Sequence, residues 1–325
     1  MIITRTPYRI SLFGGGTDYP EWYLNNEGSV VSFAIDKHSY ISLRELPPFF
    51  DHRYRVAYSK VEVTNKIDEI VHPAVRAGFT KYASDLNLEL HHHGDLPARS
   101  GIGSSSAFAV GLIKALSALN NSDLSSIELA NMAIELEQND LSEIVGSQDQ
   151  IACTFGGLNL IKFGIGNKWS VNEVSVSENY KTEIENRIIL LYSGISRTSS
   201  DISKSLVKNL ESKSDLFKAT HQLALNAFKI INNEKDLSLI GPMLIDSWKI
   251  KSEINSASVT PNLEEFFAKG LKNGAEGGKI LGAGGGGIFL FWIDPSARKS
   301  FIEKMRPALV VPIKIDQAGS SRIYW

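Results

Sequence analysis

Cysteine is all but missing from this chain: Cys153 stands alone among 325 residues. One thiol can close no internal disulfide and supplies no Cys-rich zinc or iron–sulfur site, which suits a reducing compartment, and we expect a cytoplasmic protein. Excess charge is missing too. Lys plus Arg number 34 against 36 Asp plus Glu, a formal charge of −2, so no global positive field recruits nucleic acid or acidic lipid. Any anionic ligand must be held locally. Long apolar runs are also absent: the longest, 288–293, is far too short to span a bilayer, and residues 1–13 lack the apolar core of a signal peptide. We therefore expect neither a nucleic-acid nor a membrane partner, and leave the oligomeric state open between monomer and homodimer. Two familiar phosphate-binding signatures are missing as well. A Walker A loop needs Gly-Lys followed by Ser or Thr, yet Gly278-Lys279 runs into Ile280. The His-Arg-Asp and Asp-Phe-Gly sequences of protein kinases do not occur.

What is present is an ordinary folded composition, 43% hydrophobic, too apolar for disorder and long enough for two packed domains, 1–175 and 176–325. The 26 glycines are bunched: Gly14-Gly15-Gly16, Gly101 and Gly103, Gly156-Gly157, and Gly282 with 284–287. Between them, β-like runs at 8–12, 30–34, 40–43, 54–58 and 88–93 alternate with helical patterns. A helix is predicted from Ser104, with Ser104, Ser105 and Ser106 as capping residues and Phe108, Leu112, Ala115, Leu116 and Leu119 at helical spacing. Further helices are expected at 127–138, 199–212, 215–232 and 237–254, with a strand at 188–192. The class is α+β rather than a βαβ repeat.

Three segments carry chemistry. In Pro97-Ala98-Arg99-Ser100-Gly101-Ile102-Gly103-Ser104-Ser105-Ser106 a glycine loop enters a helix start. Bare backbone N–H groups and the positive end of the helix dipole suit a phosphate, and the hydroxyls suit Mg²⁺. A serine cap after a flexible turn is the plain alternative. Gly282-Ala283-Gly284-Gly285-Gly286-Gly287 fits G-x-G-x-x-G formally, but an apolar strand follows it where a dinucleotide fold needs a helix. In the third segment, alternation puts Arg9 and Ser11 on one strand face ahead of Gly14, Gly15, Gly16, Thr17 and Asp18. A glycine triplet there admits a ligand to backbone, and Asp18 suits paired sugar hydroxyls. Glu137 and Asp149 flank a helix exit, one suited to Mg²⁺ and the other to an attacking hydroxyl; read singly, they are a solvated helix-face Glu and a loop Asp. His91, His92 and His93 read as a strand rim, and Gly156-Gly157 as a turn.

Segments 9–18, 97–107 and 282–287, in this order, resemble the three motifs of the GHMP kinases, the small-molecule kinases of sugars, homoserine and mevalonate. Residues 9–20, 146–150 and 193–197 are most similar to the D-glycero-D-manno-heptose 7-phosphate kinases, with galactokinases and fucokinases as nearer relatives. The resemblance implies an N-terminal ribosomal-protein-S5-like α/β domain, a C-terminal ferredoxin-like α+β domain and an active site in the cleft between them. It also implies an ATP-dependent kinase acting on the anomeric C1 hydroxyl of a sugar phosphate. Pro97 and residues 101–106 would receive ATP, Ser105 and Glu137 would hold Mg²⁺, Asp149 would face the acceptor hydroxyl, and Arg9 would neutralise the transferred phosphoryl group. Gly14, Gly15, Gly16, Thr17, Asp18, Arg197, Gly284 and Gly285 would bind the acceptor, with Arg197 on its phosphate. Galactokinases carry Gly-Glu-His before Thr-Asp-Tyr, whereas Gly14-Gly15-Gly16 removes both side chains and leaves room for a longer acceptor. The alternatives are a kinase for an unphosphorylated hexose of fucose or galactose type, and a catalytically silent sugar or nucleotide sensor on the same fold.

Overall fold

In the computed structural model, residues 1–325 are described apart from 167, 195–198 and 325 and the side chains of 199–201 and 257. Two long strands organise the first half. β1 (Ile2–Phe13) and β2 (Gly28–Glu45) pair antiparallel from Ile2 opposite Leu43 to Phe13 opposite Val31. The separate runs expected at 30–34 and 40–43 are thus one strand. The polar stretch between them stays extended because its buried groups find partners: His38 Nε2 lies 2.7 Å from Asp316 Oδ2, and Ser39 Oγ 3.0 Å from His92 Nε2. The pairing slips by two residues between Pro7, opposite His38, and Tyr8, opposite Ile35, where proline has no N–H to give to a ladder.

Around this pair stand β3 (Tyr54–Ala57), β4 (Val61–Thr64), β5 (Leu88–Gly94), β6 (Leu158–Gly164) and β7 (Lys168–Glu173). The far half of β2 pairs with β5 and the near half with β6, so one strand serves two branches of the sheet. The Ser104–Leu119 helix lies against β1 and β2, where Thr4 Oγ1 donates to Gly111 O at 3.0 Å; of the residues expected at helical spacing, Phe108, Leu112, Ala115 and Leu116 are buried and Leu119 is half-buried. The helix expected at 127–138 is Ser126–Glu135, opened by a Ser125–Glu128 capping box and followed by a π-turn at Leu136–Asp140.

A second sheet follows, in the order β11-β8-β10-β9, from β8 (Ile188–Tyr192), β9 (Ala275–Ile280), β10 (Ile288–Ile293) and β11 (Leu309–Val311). Every residue of β10 is buried, and Phe289 and Phe291 join Trp248 and Phe267 in an aromatic core. The Ile240–Ile254 helix lies so close on β9 that a Cβ at Gly277 would stand 2.0 Å from the Gly241 carbonyl oxygen. Only glycine allows that approach. The last described strand, β12 (Ser321–Tyr324), returns to the first sheet and pairs antiparallel with β1. Mixed sheets with helices packed on them make the class α+β, as read from the sequence. The paired glycines 156 and 157 do turn the chain: both have φ near +70°, and the Gly157 N–H donates to Asp316 O at 2.8 Å.

Candidate active site

A cleft of about 240 Å³ opens between the two sheets. One wall comes from β1, the loop at 99–106, Glu137 and residues 145–149; the other from the Ile240–Ile254 helix, β9 and the glycine run after it. The loop keeps an unusual path: Arg99, Gly101 and Gly103 have φ of 61°, 84° and 74°. A Cβ at Gly101 would stand 2.6 Å from the Leu281 carbonyl oxygen, so glycine lets the two walls touch. The capping position of the Ser104–Leu119 helix is Gly103, in the left-handed region, and not a serine as the sequence suggested. The three serines fill the first turn instead. Their N–H groups have no partner within the helix, since its first bond runs from Ala107 N to Gly103 O, and all three residues line the cleft.

Arg9 sits at the centre. Its backbone N–H donates to Ile102 O at 3.0 Å, which ties β1 to the loop. Its guanidinium Nε and Nη2 donate to Asp149 Oδ1 and Oδ2 at 2.6 and 2.5 Å, and Nη1 donates to Gly101 O at 2.8 Å. The pair is lopsided in exposure, 4% for Arg9 against 23% for Asp149, so the carboxylate is the member open to the cleft.

Glu137 is fully buried, which overturns the reading of a solvated helix-face Glu. It accepts from Ser105 Oγ at 2.9 Å and from Gln150 Nε2 at 2.5 Å. Burial pushes its carboxyl up to about 7, with no described cation beside it to hold the charge. Asp18 is equally buried; desolvation and the nearby Asp149 charge push it up to about 6, against the N–H groups of Gly16 and Gln148. An oxygen pair at Ser105 and Glu137, short of positive charge, fits a divalent cation that completes its shell with phosphate oxygens and water.

Gly15, Gly16, Asp18, Gly101, Gly103, Ser104, Ser105, Ser106, Glu137, Asp149, Arg9 and Gly284 all line this one cleft. Other expected residues do not. Pro97 is exposed and away from it, Ile102 is buried in the core with only its backbone at the site, and Gly285 N donates to Ser258 O. Gly14 and Thr17 serve chain packing: a Cβ at Gly14 would stand 1.9 Å from Ser29 O, and Thr17 Oγ1 bonds the backbone of both Gly14 and Ser29. Arg197 lies outside the described residues. His91 and His92 bond within the sheet, to Glu89 and Ser39, as a strand rim would.

Several lining residues were not expected as site residues, and four of them bear on its chemistry, although alternation places Ser11 on the same strand face as Arg9. Ser11 Oγ and Gln148 Oε1 are buried with no hydrogen-bond partner among the described residues. Lys251 and Lys279 are cations on the second wall. Their signal was positional: Lys251 falls three after Trp248 and seven after Leu244 on an apolar helix face, and Lys279 sits between Gly278 and Ile280 in a buried strand.

The chain matches the family models for the GHMP kinases N terminal domain over residues 69–157 and GHMP kinases C terminal over 224–310. It is 31% identical to a D-glycero-alpha-D-manno-heptose 7-phosphate kinase of Campylobacter jejuni, over 94% of this chain and 93% of that one. It is 22% identical to a galactokinase of Pyrococcus furiosus, over 92% and 91% respectively. A solved structure titled D-glycero-D-manno-heptose 1-phosphate kinase, from Bacteroides thetaiotaomicron, superposes with a TM-score of 0.82 at 19% identity, covering 100% of this chain and 99% of that one. Matched by both family models and 31% identical over nearly its whole length to a kinase of this family, this chain belongs to the GHMP kinases and is a sugar kinase, a phosphotransferase with an alcohol acceptor.

Proposed function

We propose that the protein transfers the γ-phosphoryl group of ATP to the anomeric C1 hydroxyl of D-glycero-D-manno-heptose 7-phosphate, giving the 1,7-bisphosphate. One observation carries the reading: Arg9 joins the Asp149 carboxylate to the Gly101 carbonyl, linking a proton acceptor and a cation to the phosphate loop. The first-turn N–H groups and Gly101 to Ser106 receive the ATP phosphates. Ser105 and Glu137 would hold Mg²⁺, which when bound neutralises phosphate charge. The acceptor oxygen forms its bond to the γ-phosphorus as the bond to the β–γ bridging oxygen breaks, and its proton passes to Asp149. Arg9 stabilises charge on the equatorial oxygens.

Acceptor choice rests on the other end of the cleft. Asp18, Gly15, Gly16 and the unspent Ser11 Oγ and Gln148 Oε1 give a polyhydroxylated ligand both acceptors and donors. Arg197 is proposed, on sequence alone, to meet the sugar phosphate. The test is a panel with ATP and Mg²⁺: heptose 7-phosphate, heptose 1-phosphate, galactose, fucose and mannose, with products assigned by ³¹P NMR. We expect turnover of heptose 7-phosphate and a new anomeric phosphate signal. Turnover of free hexoses alone would overturn the substrate, and turnover of heptose 1-phosphate would overturn the C1 position.

A further inference from the structure

The second wall of the cleft carries two lysines that no carboxylate of a described residue answers. Lys279 is 6% exposed and donates only to the Leu12 carbonyl oxygen, at 3.2 Å. Lys251 Nζ donates to Gly282 O at 2.6 Å and to Ile280 O at 3.4 Å. Neither has a carboxylate of a described residue within ion-pair distance, and both face the same cleft as Arg9. Burial and the neighbouring cations push Lys251 well below the ordinary lysine range, and burial with Arg9 pushes Lys279 down to about 8.

A desolvated ammonium is costly unless paired, and each of these keeps donors unspent: an ammonium has three, and carbonyl oxygens take one or two. The backbone fixes where those donors stand. Gly241 and Gly277 press the Ile240–Ile254 helix onto β9, so the stems of both lysines start from rigid elements. Lys251 clasps Gly282, whose Cβ would stand 2.7 Å from Gly101 Cα at the phosphate loop, and Lys279 clasps the end of β1 just before the glycine triplet.

We propose that Lys251 and Lys279 together form a phosphate-oxygen site, supplied by the C-terminal half of the chain and filled only when substrates bind. The oxygens belong either to the transferred phosphoryl group or to the acceptor's own phosphate; the second source rests on the substrate reading above, and the first does not.

The experiment uses Lys251→Met, Lys279→Met, the double variant, and Lys→Arg at each position to keep the charge. Calorimetry gives the affinities for Mg·ATP and Mg·ADP. Thermal shift by inorganic phosphate is read on protein saturated with a non-hydrolysable ATP analogue. Neither measurement needs the right sugar, so a wrong heptose assignment leaves both intact. If the lysines hold the transferred group, the Met variants lose the preference for ATP over ADP by about 10- to 100-fold, the worth of a charged hydrogen bond, while the phosphate shift persists. If they hold the acceptor's phosphate, the ATP preference persists and the shift by inorganic phosphate disappears. The Arg variants retain part of whichever effect is lost. Removing a desolvated charge should leave the ligand-free melting temperature equal or higher, which separates lost binding from lost folding. A folded double variant with both the ATP preference and the phosphate shift within about twofold of the unaltered protein overturns the proposal.

Discussion

The two walls of the cleft treat charge in opposite ways. On the first, the buried charged groups already have company: Arg9 with Asp149, Glu137 with Ser105 and Gln150, Asp18 with two backbone N–H groups. On the second, Lys251 and Lys279 have only carbonyl oxygens among the described residues. A wall of satisfied pairs holds its geometry whether or not ligand is present, which is preorganisation. A wall of unanswered cations gains most when an anion arrives. In a chain of net charge −2, the positive field that phosphate needs is thus built locally and divided between two halves of the molecule.

Breaking the first wall at its exposed carboxylate should have the largest effect. Asp149→Ala should lower kcat by roughly 10² to 10⁴ with ATP still bound, measured by steady-state turnover beside ATP titration. Near-normal turnover would remove Asp149 from the chemistry and with it the distinction between a reacting wall and a receiving one. Next, Arg197→Ala should raise KM for the phosphorylated sugar by about tenfold or more while KM for ATP stays put, as loss of a charge-assisted contact does. Equal rises in both would leave the acceptor phosphate to the lysine wall alone.

Gly101→Ala attacks the seam between the walls. With φ at 84° and its Cβ 2.6 Å from the Leu281 oxygen, the variant should lose about 1–3 kcal/mol, visible as a lower melting temperature, and weaken ATP binding in parallel. Unchanged melting would mean that the walls do not lean on each other there.

The smallest effect is one of pH. Glu137 holds its proton more tightly in the folded protein, up to about 7, than an ordinary glutamate at 4.5 does in the unfolded chain. The stability this gives is complete below about 4.5 and is lost as pH rises through 7. Glu137→Gln cannot ionise, so its melting temperature should gain on the unaltered protein by several degrees between pH 5 and 8, and Mg²⁺ with ATP should narrow that gap. Asp18, raised to about 6, contributes in the same direction in both proteins and cancels in the difference. A gap that stays flat with pH would show Glu137 already answered by a cation.

How much of this the sequence carried depended on locality. The helix from Ser104, the strand at 188–192 and the glycine-then-strand order at 282–293 are local patterns, and each appears in the fold. Arg9, Glu137 and Asp149 were found by residue type and order, yet their meeting in one cleft depends on contacts such as Arg9 to Asp149 across 140 positions. What escaped was set by packing between distant segments. Gly14 looked like a cleft glycine because its neighbours Gly15 and Gly16 line the cleft, but Ser29 leaves it no room for a side chain. Lys251 and Lys279 are single lysines in apolar elements, and nothing local marks them as facing inward together. The serine cap failed for a local reason, since a left-handed turn at Gly103 is open to glycine and closed to serine.

The pairing of β12 with β1 bears on how the protein comes into being. A ribosome delivers β12, Ser321–Tyr324, long after β1, Ile2–Phe13. Throughout that interval the start of β1, Ile3 to Arg5, lacks its partner on one edge, a template for any passing segment in extended form. The order of synthesis therefore leaves the start of the arginine-bearing strand the last part of its sheet to be sealed, and ties the anchorage of that strand to residues that do not line the cleft.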